Sequence, residues 1–156
     1  MALPPCGLYR TMAVVAGIPA GRLVYFHNHG DPGPGLYLPS GWSLNRAQWN
    51  PRGHTLPDEA SATQLAPLPA EGLYVVKSAF FCCEKRCREF NPRQLVQLGY
   101  DGEATPILFV PELSARGLGF PERGQKLDGS QLERLERLLV ASAAEAPVSA
   151  PGGLMH

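Results

Sequence analysis

The chain lacks net charge. Its 14 basic and 14 acidic residues cancel, and charged residues fill only 18% of its 156 positions. That balance removes the phosphate-neutralising footprint of a general DNA- or RNA-binding protein. It also lacks any run near the roughly 18 apolar residues of a membrane-spanning helix. The opening residues, Met1-Ala2-Leu3-Pro4-Pro5-Cys6, hold no charged segment followed by an apolar one, so no secretory signal is expected. A cytoplasmic chain without membrane association follows, in which cysteines stay reduced. No Cys-x-x-Cys pair occurs, which excludes a self-contained zinc finger and a thioredoxin-type redox motif. There is no phosphate-cradling glycine loop, no nucleophile elbow and no paired carboxylates in an apolar setting. The sequence shows no internal repeat.

What the chain has in excess is glycine and proline. They number 17 and 16, roughly a fifth of the chain against about 12% in average usage. They fall between apolar segments without a period, which predicts many short elements joined by tight turns. Residues 8–15 are rich in strand formers and read as a first strand. Residues 23–29 read as a second, with Leu23, Tyr25, His27 and His29 on one face and Val24, Phe26 and Asn28 on the other. Apolar residues on both faces predict burial on both sides until the histidines emerge. Asp31-Pro32-Gly33-Pro34-Gly35 is a turn, because proline presets φ and glycine supplies conformations other residues resist. Residues 36–38 return as a short strand. Residues 58–70 read as a long surface connection and residues 73–83 as a long strand.

Asp101-Gly102 between the apolar runs 94–100 and 105–110 predicts a β-hairpin. Pro106 places the second arm at a sheet edge, since proline cannot donate to a ladder. Near the end, Ser130 and Glu133 have capping-box spacing. Leu132, Leu135, Leu138 and Leu139 then recur at near-helical spacing, and Glu133 and Arg137 stand four apart in the favourable order. These features predict a C-terminal α-helix, limited by Pro147.

His27 and His29 come first among the candidate chemistry. Two residues apart on one strand face, their Cα atoms would lie about 7 Å apart, so both imidazoles can converge on one metal ion. The spacing Gly21-(x)5-His27-x-His29 resembles the first half of the first cupin motif. Cupins are double-stranded β-helices that often carry such a metal, and the resemblance implies that role for the two histidines. It spans about nine residues. The glutamate of the motif is missing, and Pro51-Arg52-Gly53-His54 only echoes the second motif.

The other ligand-type cluster is Cys82-Cys83-Glu84-Lys85-Arg86-Cys87. On a continuing strand only one of the adjacent pair Cys82/Cys83 could face a given site. His27, His29, Cys83 and Cys87, with Cys82 as the alternate for Cys83, would supply a four-ligand zinc site if the two strands are neighbours. Tyr37, Trp42, Trp49 and His54 fall in a proline- and glycine-rich region and could line a binding surface.

The fold expected is one mainly-β domain over residues 1–146, with a disordered tail at 147–156. It would be a small antiparallel barrel or sandwich capped by one C-terminal α-helix. The alternative is α+β with an open antiparallel sheet. The function expected is a non-enzymatic binding or accessory module, acting on a protein partner or small ligand through loops and an aromatic surface, with zinc as a structural cofactor. The alternative is a small metal-dependent enzyme on a β-barrel using His27 and His29.

Overall fold

The computed structural model describes residues 3–30 and 33–141. Asp31 and Pro32 of the expected turn, and the expected tail at 147–156, lie outside the described residues. The first half runs through β1 (Gly7–Thr11), β2 (Leu23–His27), β3 (Gly35–Tyr37), the hairpin β4 (Pro39–Ser43) and β5 (Arg46–Trp49), then β6 (His54–Thr55). A 3-10 helix, Glu59–Gln64, leads into β7 (Leu65–Pro67). The second half runs through β8 (Gly72–Val76), β9 (Phe80–Phe81), β10 (Glu89–Phe90), β11 (Leu95–Tyr100) and β12 (Pro106–Phe109). It continues with the hairpin β13 (Glu112–Ser114) and β14 (Gly117–Gly119), β15 (Gln125–Lys126), a second 3-10 helix, Gly129–Arg134, and β16 (Leu135–Arg137). The mainly-β expectation holds. All named pairings are antiparallel, and the sheets are open, so no barrel closes among the described residues. No helix among them is long and apolar enough to cross a membrane.

The chain folds the same way twice. One five-stranded sheet has the order β6-β3-β2-β1-β7, the other β15-β12-β11-β8-β16. Their registers coincide strand for strand. Tyr9 faces Val24 as Tyr74 faces Val96, and Phe26 faces Leu36 as Leu98 faces Leu108. Leu36 faces His54 as Leu108 faces Gln125, and Thr11 faces Leu65 as Val76 faces Leu135. Side-chain details repeat too. The hydroxyls of Tyr9 and Tyr74 donate to the carbonyls of Pro5 and Ala70, each at 2.7 Å. The Leu56 and Leu127 amides donate to the carbonyls of Pro34 and Pro106, each at 2.9 Å. Gly53 and Gly124 take equivalent places, where a Cβ would meet the Leu36 or the Leu108 carbonyl oxygen at 3.0 and 2.6 Å. The repeat absent from the sequence is therefore present in the backbone, carried by apolar positions and glycines that loops of different length keep out of step.

Strand β2 is buried on both faces, as its alternation predicts. Val24 and Phe26 pack into the first half's own core with Tyr9, Leu36, Leu56 and Leu65. Leu23, with Tyr25 beside it, packs into the second half's core around Val96, Leu98, Tyr100 and Leu108. Each large side chain so buried contributes about 1.5–3 kcal/mol.

The β4–β5 hairpin clasps the second half. Its two-residue turn, Leu44-Asn45, has φ of 53° and 66°, the left-handed pair a type I′ turn requires. Asn45 Nδ2 donates to Gln97 Oε1 and to the Pro121 carbonyl, both at 2.9 Å. Trp42 Nε1 donates to the Tyr100 carbonyl at 2.8 Å, and the buried Ala47 amide donates to Glu71 Oε2 at 2.9 Å. Gly99 lets the hairpin in, since a Cβ there would sit 2.8 Å from the Asn45 carbonyl oxygen.

Several sequence expectations are corrected. The C-terminal α-helix is replaced by the second 3-10 helix and β16. Asp128 takes the N-cap position in place of Ser130, without a side-chain cap bond. Leu135 is buried as a strand residue opposite Val76 while Leu139 stays exposed. The open edge of β8 needs hydrogen-bond partners, and that tertiary demand outweighs a short helical pattern. The 58–70 connection contains the first 3-10 helix, where Asp58 Oδ1 accepts the Ser61 amide at 2.8 Å, and β7 pairs with β1. The 73–83 strand breaks after Val76, where the second half's equivalent of the first loop begins. The Asp101 hairpin forms between β11 and β12, with Asp101 Oδ1 accepting the amides of Glu103 and Thr105 at 2.9 Å. Strand β12 is not an edge strand, because β15 pairs with its outer side. Pro106 fits as its first residue, where no ladder donor is needed.

Two predictions follow from this packing. Gly124→Ala should destabilise the fold by about 1–3 kcal/mol in chemical denaturation, since its Cβ would lie 2.6 Å from Ile107 Cγ2. Gly119→Ala, with nothing within 4 Å of the added carbon, should stay within about 0.5 kcal/mol of the parent. Equal losses would remove the steric account. Glu71 supplies the second. Burial raises its pKa, against the Ala47 amide and the charge of Arg46, which lower it. Its folded state therefore holds the proton more tightly than the unfolded state. The resulting stabilisation is complete below the ordinary carboxyl range and is lost as pH rises through the folded value. Glu71→Gln keeps a carbonyl acceptor and cannot ionise. Its melting temperature relative to the parent should climb from about pH 4 to about pH 7, whereas a constant offset would contradict a raised Glu71.

Candidate functional site: two cysteine-bearing groups

The first group forms where β2 ends. The strand stops at His27, and the chain bends through Asn28 and His29. Both rings still converge, with centroids 4.1 Å apart. The β1–β2 register places Gly7 opposite Phe26, which brings Cys6 beside His27. Cys6 Sγ lies 3.7 Å from His27 Nδ1 and 4.0 Å from His29 Nδ1. Asn28 ties the group together. Its backbone amide donates to Cys6 Sγ at 3.3 Å, and its Nδ2 donates to the Pro4 carbonyl at 3.1 Å. That second bond turns Oδ1 toward the group, 2.7 Å from His29 Nδ1 and 3.3 Å from Cys6 Sγ. His27 is buried and His29 exposed. Burial, and then the neighbouring His29, lower the His27 pKa and favour the neutral ring, which is the form that ligates a metal.

The second group sits in the β9–β10 loop. Phe80 and Phe90 stack at 5.1 Å across that short ladder. Cys82 and Cys83 follow in a bend, so the alternation of a strand no longer separates their thiols. Cys82 Sγ and Cys83 Sγ are 3.6 Å apart, and Cys83 Sγ and Cys87 Sγ 3.9 Å. A turn brings Cys87 back, closed by the Arg86 amide on the Cys83 carbonyl at 3.0 Å with Arg86 at φ 55°. The backbone amides of Cys87 and then Lys85 donate to Cys83 Sγ and, with the Cys82 thiol, lower the Cys83 pKa. The Cys87 thiol is raised, first by its hydrogen bond to Cys83 and then by the Cys83 charge. Arg86 lies over the Phe81 ring at 4.9 Å and Arg88 over the Phe90 ring at 5.5 Å.

In each group the three ligand atoms lie within 4.8 Å of one another, so each could hold a metal ion. The expected combination of His27, His29, Cys83 and Cys87, with Cys82 as alternate, is not assembled. Its histidines fall in one group and its cysteines in the other, because β2 and the β9–β10 loop belong to different halves. Cys82 and Cys83 both fall in the second group. Cys6 carried no local signal of a ligand. Only the β1–β2 register connects it to histidines more than twenty residues away.

The expected aromatic surface also separates. Trp49 packs against Tyr25 at 5.8 Å, and the Tyr37 ring is held against Gly53. His54 Nδ1 bonds the Ala16 carbonyl at 3.1 Å. Trp42 alone of the four is exposed. It stands as a wall between two cavities at the seam of the halves. One of about 360 Å³ is bounded by Ile18, Arg22 and Leu38. The other, of about 270 Å³, is bounded by Tyr100, Ile107 and Phe109.

The thiol electrostatics predict an order of reaction. In reduced, metal-free protein at neutral pH, iodoacetamide should modify Cys83 before Cys87, as read by peptide mass mapping over time. Earlier labelling of Cys87 would contradict the amide-supported Cys83 thiolate. Comparison of the chain with protein-family models, with curated proteins and with solved structures gives no match, so its chemistry is read from its own residues.

Proposed function

We propose that the chain is a non-enzymatic binding module in which Cys82, Cys83 and Cys87 hold a zinc ion that fixes the β9–β10 loop. The observation that carries this reading is the sulfur spacing. A tetrahedral shell with Zn–S bonds of about 2.3 Å puts its sulfurs about 3.8 Å apart. The thiols stand at 3.6 and 3.9 Å. The two amides on Cys83 Sγ support a thiolate there. Lys85 and Arg86, within the loop, offset the negative charge that three thiolates leave on a divalent ion. Beside Cys83 lies a cavity of about 490 Å³, lined also by Glu84, Arg86, Asp128 and Arg134.

Neither ligand group includes a carboxylate among the described residues. Exposed Trp42, between its two cavities, is the place for a protein partner or small ligand to engage, with its indole N–H already spent on the Tyr100 carbonyl.

Elemental analysis of protein purified under reducing, chelator-free conditions tests the metal. One zinc equivalent should disappear in Cys83→Ser/Cys87→Ser. Stripping it from the parent should lower the melting temperature by about 5–10 °C, the shift expected when an ion at a hundredfold excess over its Kd is removed. A zinc content unchanged in the double variant would place the ion elsewhere, and no zinc in the parent would end the proposal.

A further inference from the structure

The duplication shows what the first group replaces. Gly7 and Gly72 hold the same register, so Cys6 occupies the place of Glu71. Along the partner strands, His27 occupies the place of Gly99 and Asn28 that of Tyr100. Glu71, Gly99 and Tyr100 are the residues the β4–β5 hairpin clasps in the second half, through Ala47, Asn45 and Trp42. In the first half the same place has no hairpin over it among the described residues, and His29 there is exposed. His27 also bars a clasp of that geometry from any source. A Cβ at the equivalent Gly99 would stand 2.8 Å from the hairpin carbonyl. The position that receives a backbone hairpin in one half is thus rebuilt in the other from a thiol and two imidazoles.

We propose that Cys6, His27 and His29 form a second metal site, independent of the three-cysteine group, that takes a zinc-class divalent ion and leaves one coordination position open to external ligands. Tetrahedral Zn–S and Zn–N bonds of about 2.3 and 2.0–2.1 Å put sulfur and nitrogen about 3.6 Å apart. Cys6 Sγ stands 3.7 Å from His27 Nδ1, and the ligand atoms of all three residues lie within 4.8 Å of one another. The surrounding groups favour this use. Asn28 Oδ1 can only accept, so His29 Nδ1 carries the proton of their 2.7 Å bond. The His29 lone pair is then on Nε2, the arrangement in which a ligating histidine is oriented through its other nitrogen. The Asn28 amide donates to Cys6 Sγ at 3.3 Å and fixes the sulfur beside the two rings. Gly30 leaves room for the His27 ring, since a Cβ there would lie 3.3 Å from Cδ2. Three protein ligands leave the fourth position of a tetrahedral ion free for an external ligand.

Cobalt(II) titration of the reduced full-length chain carrying Cys83→Ser/Cys87→Ser tests this site without the three-cysteine group. One equivalent should bind, with visible bands of a four-coordinate ion and one thiolate-to-cobalt transition in the near ultraviolet. Azide should shift the visible bands by filling the open position, and zinc should displace the cobalt. Cys6→Ser should abolish the thiolate transition. His29→Ala changes an exposed side chain and so leaves the circular dichroism spectrum intact, and should weaken binding by about tenfold or more. Absence of the bands in this background, a thiolate transition surviving Cys6→Ser, or bands indifferent to azide would overturn the proposal. Each of these outcomes is independent of whether the three-cysteine group holds zinc.

Discussion

The bond from the Ala47 amide to the buried Glu71 carboxylate is the constraint around which the two halves are arranged. It is a charged or protonated group taken out of water, and burial of that kind is tolerated only where the hydrogen-bonding partners are fixed. Here the partner is a hairpin backbone, so the whole β4–β5 ribbon must lie across the second half for the bond to form. The rest of the seam follows from that placement. Asn45 bridges Gln97 and Pro121, Trp42 closes on Tyr100, and Leu8, Leu23 and Ala47 enter the second half's core. The exposed Trp42 wall is a by-product of the same crossing.

Two halves with identical registers thus carry different chemistry at the same places. Where the second half offers Glu71, Gly99 and Tyr100 to a hairpin, the first offers Cys6, His27 and Asn28. Where the first half closes its β1–β2 loop with a Val15–Ile18 bridge, the second inserts the β9–β10 ladder and three cysteines. The shared scaffold explains why both cysteine-bearing groups sit at strand ends and loop bends. Their side chains can leave the core there without breaking the ladder that holds it.

The apolar alternation of residues 23–27 and the Asp101-Gly102 turn were legible because they depend on neighbours in sequence. Side-chain direction alternates along any strand, and an aspartate can bond the amides just after it. Both histidines were legible as a pair for the same reason, although a bend and not a continued strand brings their rings together. The C-terminal helix was misread because Leu132, Leu135 and Leu139 suit a helical face as written. The unpaired edge of β8 is invisible in that window. Cys82 and Cys83 were read as alternates on the assumption that the strand continued past Val76.

What the sequence by itself determined is local: a mainly-β chain of short elements, two-faced burial of β2, and two clusters of ligand-type side chains. Only the tertiary structure decided which of those side chains meet. Cys6 reaches His27 through an inter-strand register, the three cysteines meet through a loop turn, and the two clusters stay apart because they belong to different halves. Register and docking depend on hydrogen bonds between residues far apart in the chain, and no local pattern encodes such distances. The duplication was hidden for a related reason. A repeated fold needs only the same burial and the same tight glycine positions, and side chains that satisfy those conditions can otherwise differ freely.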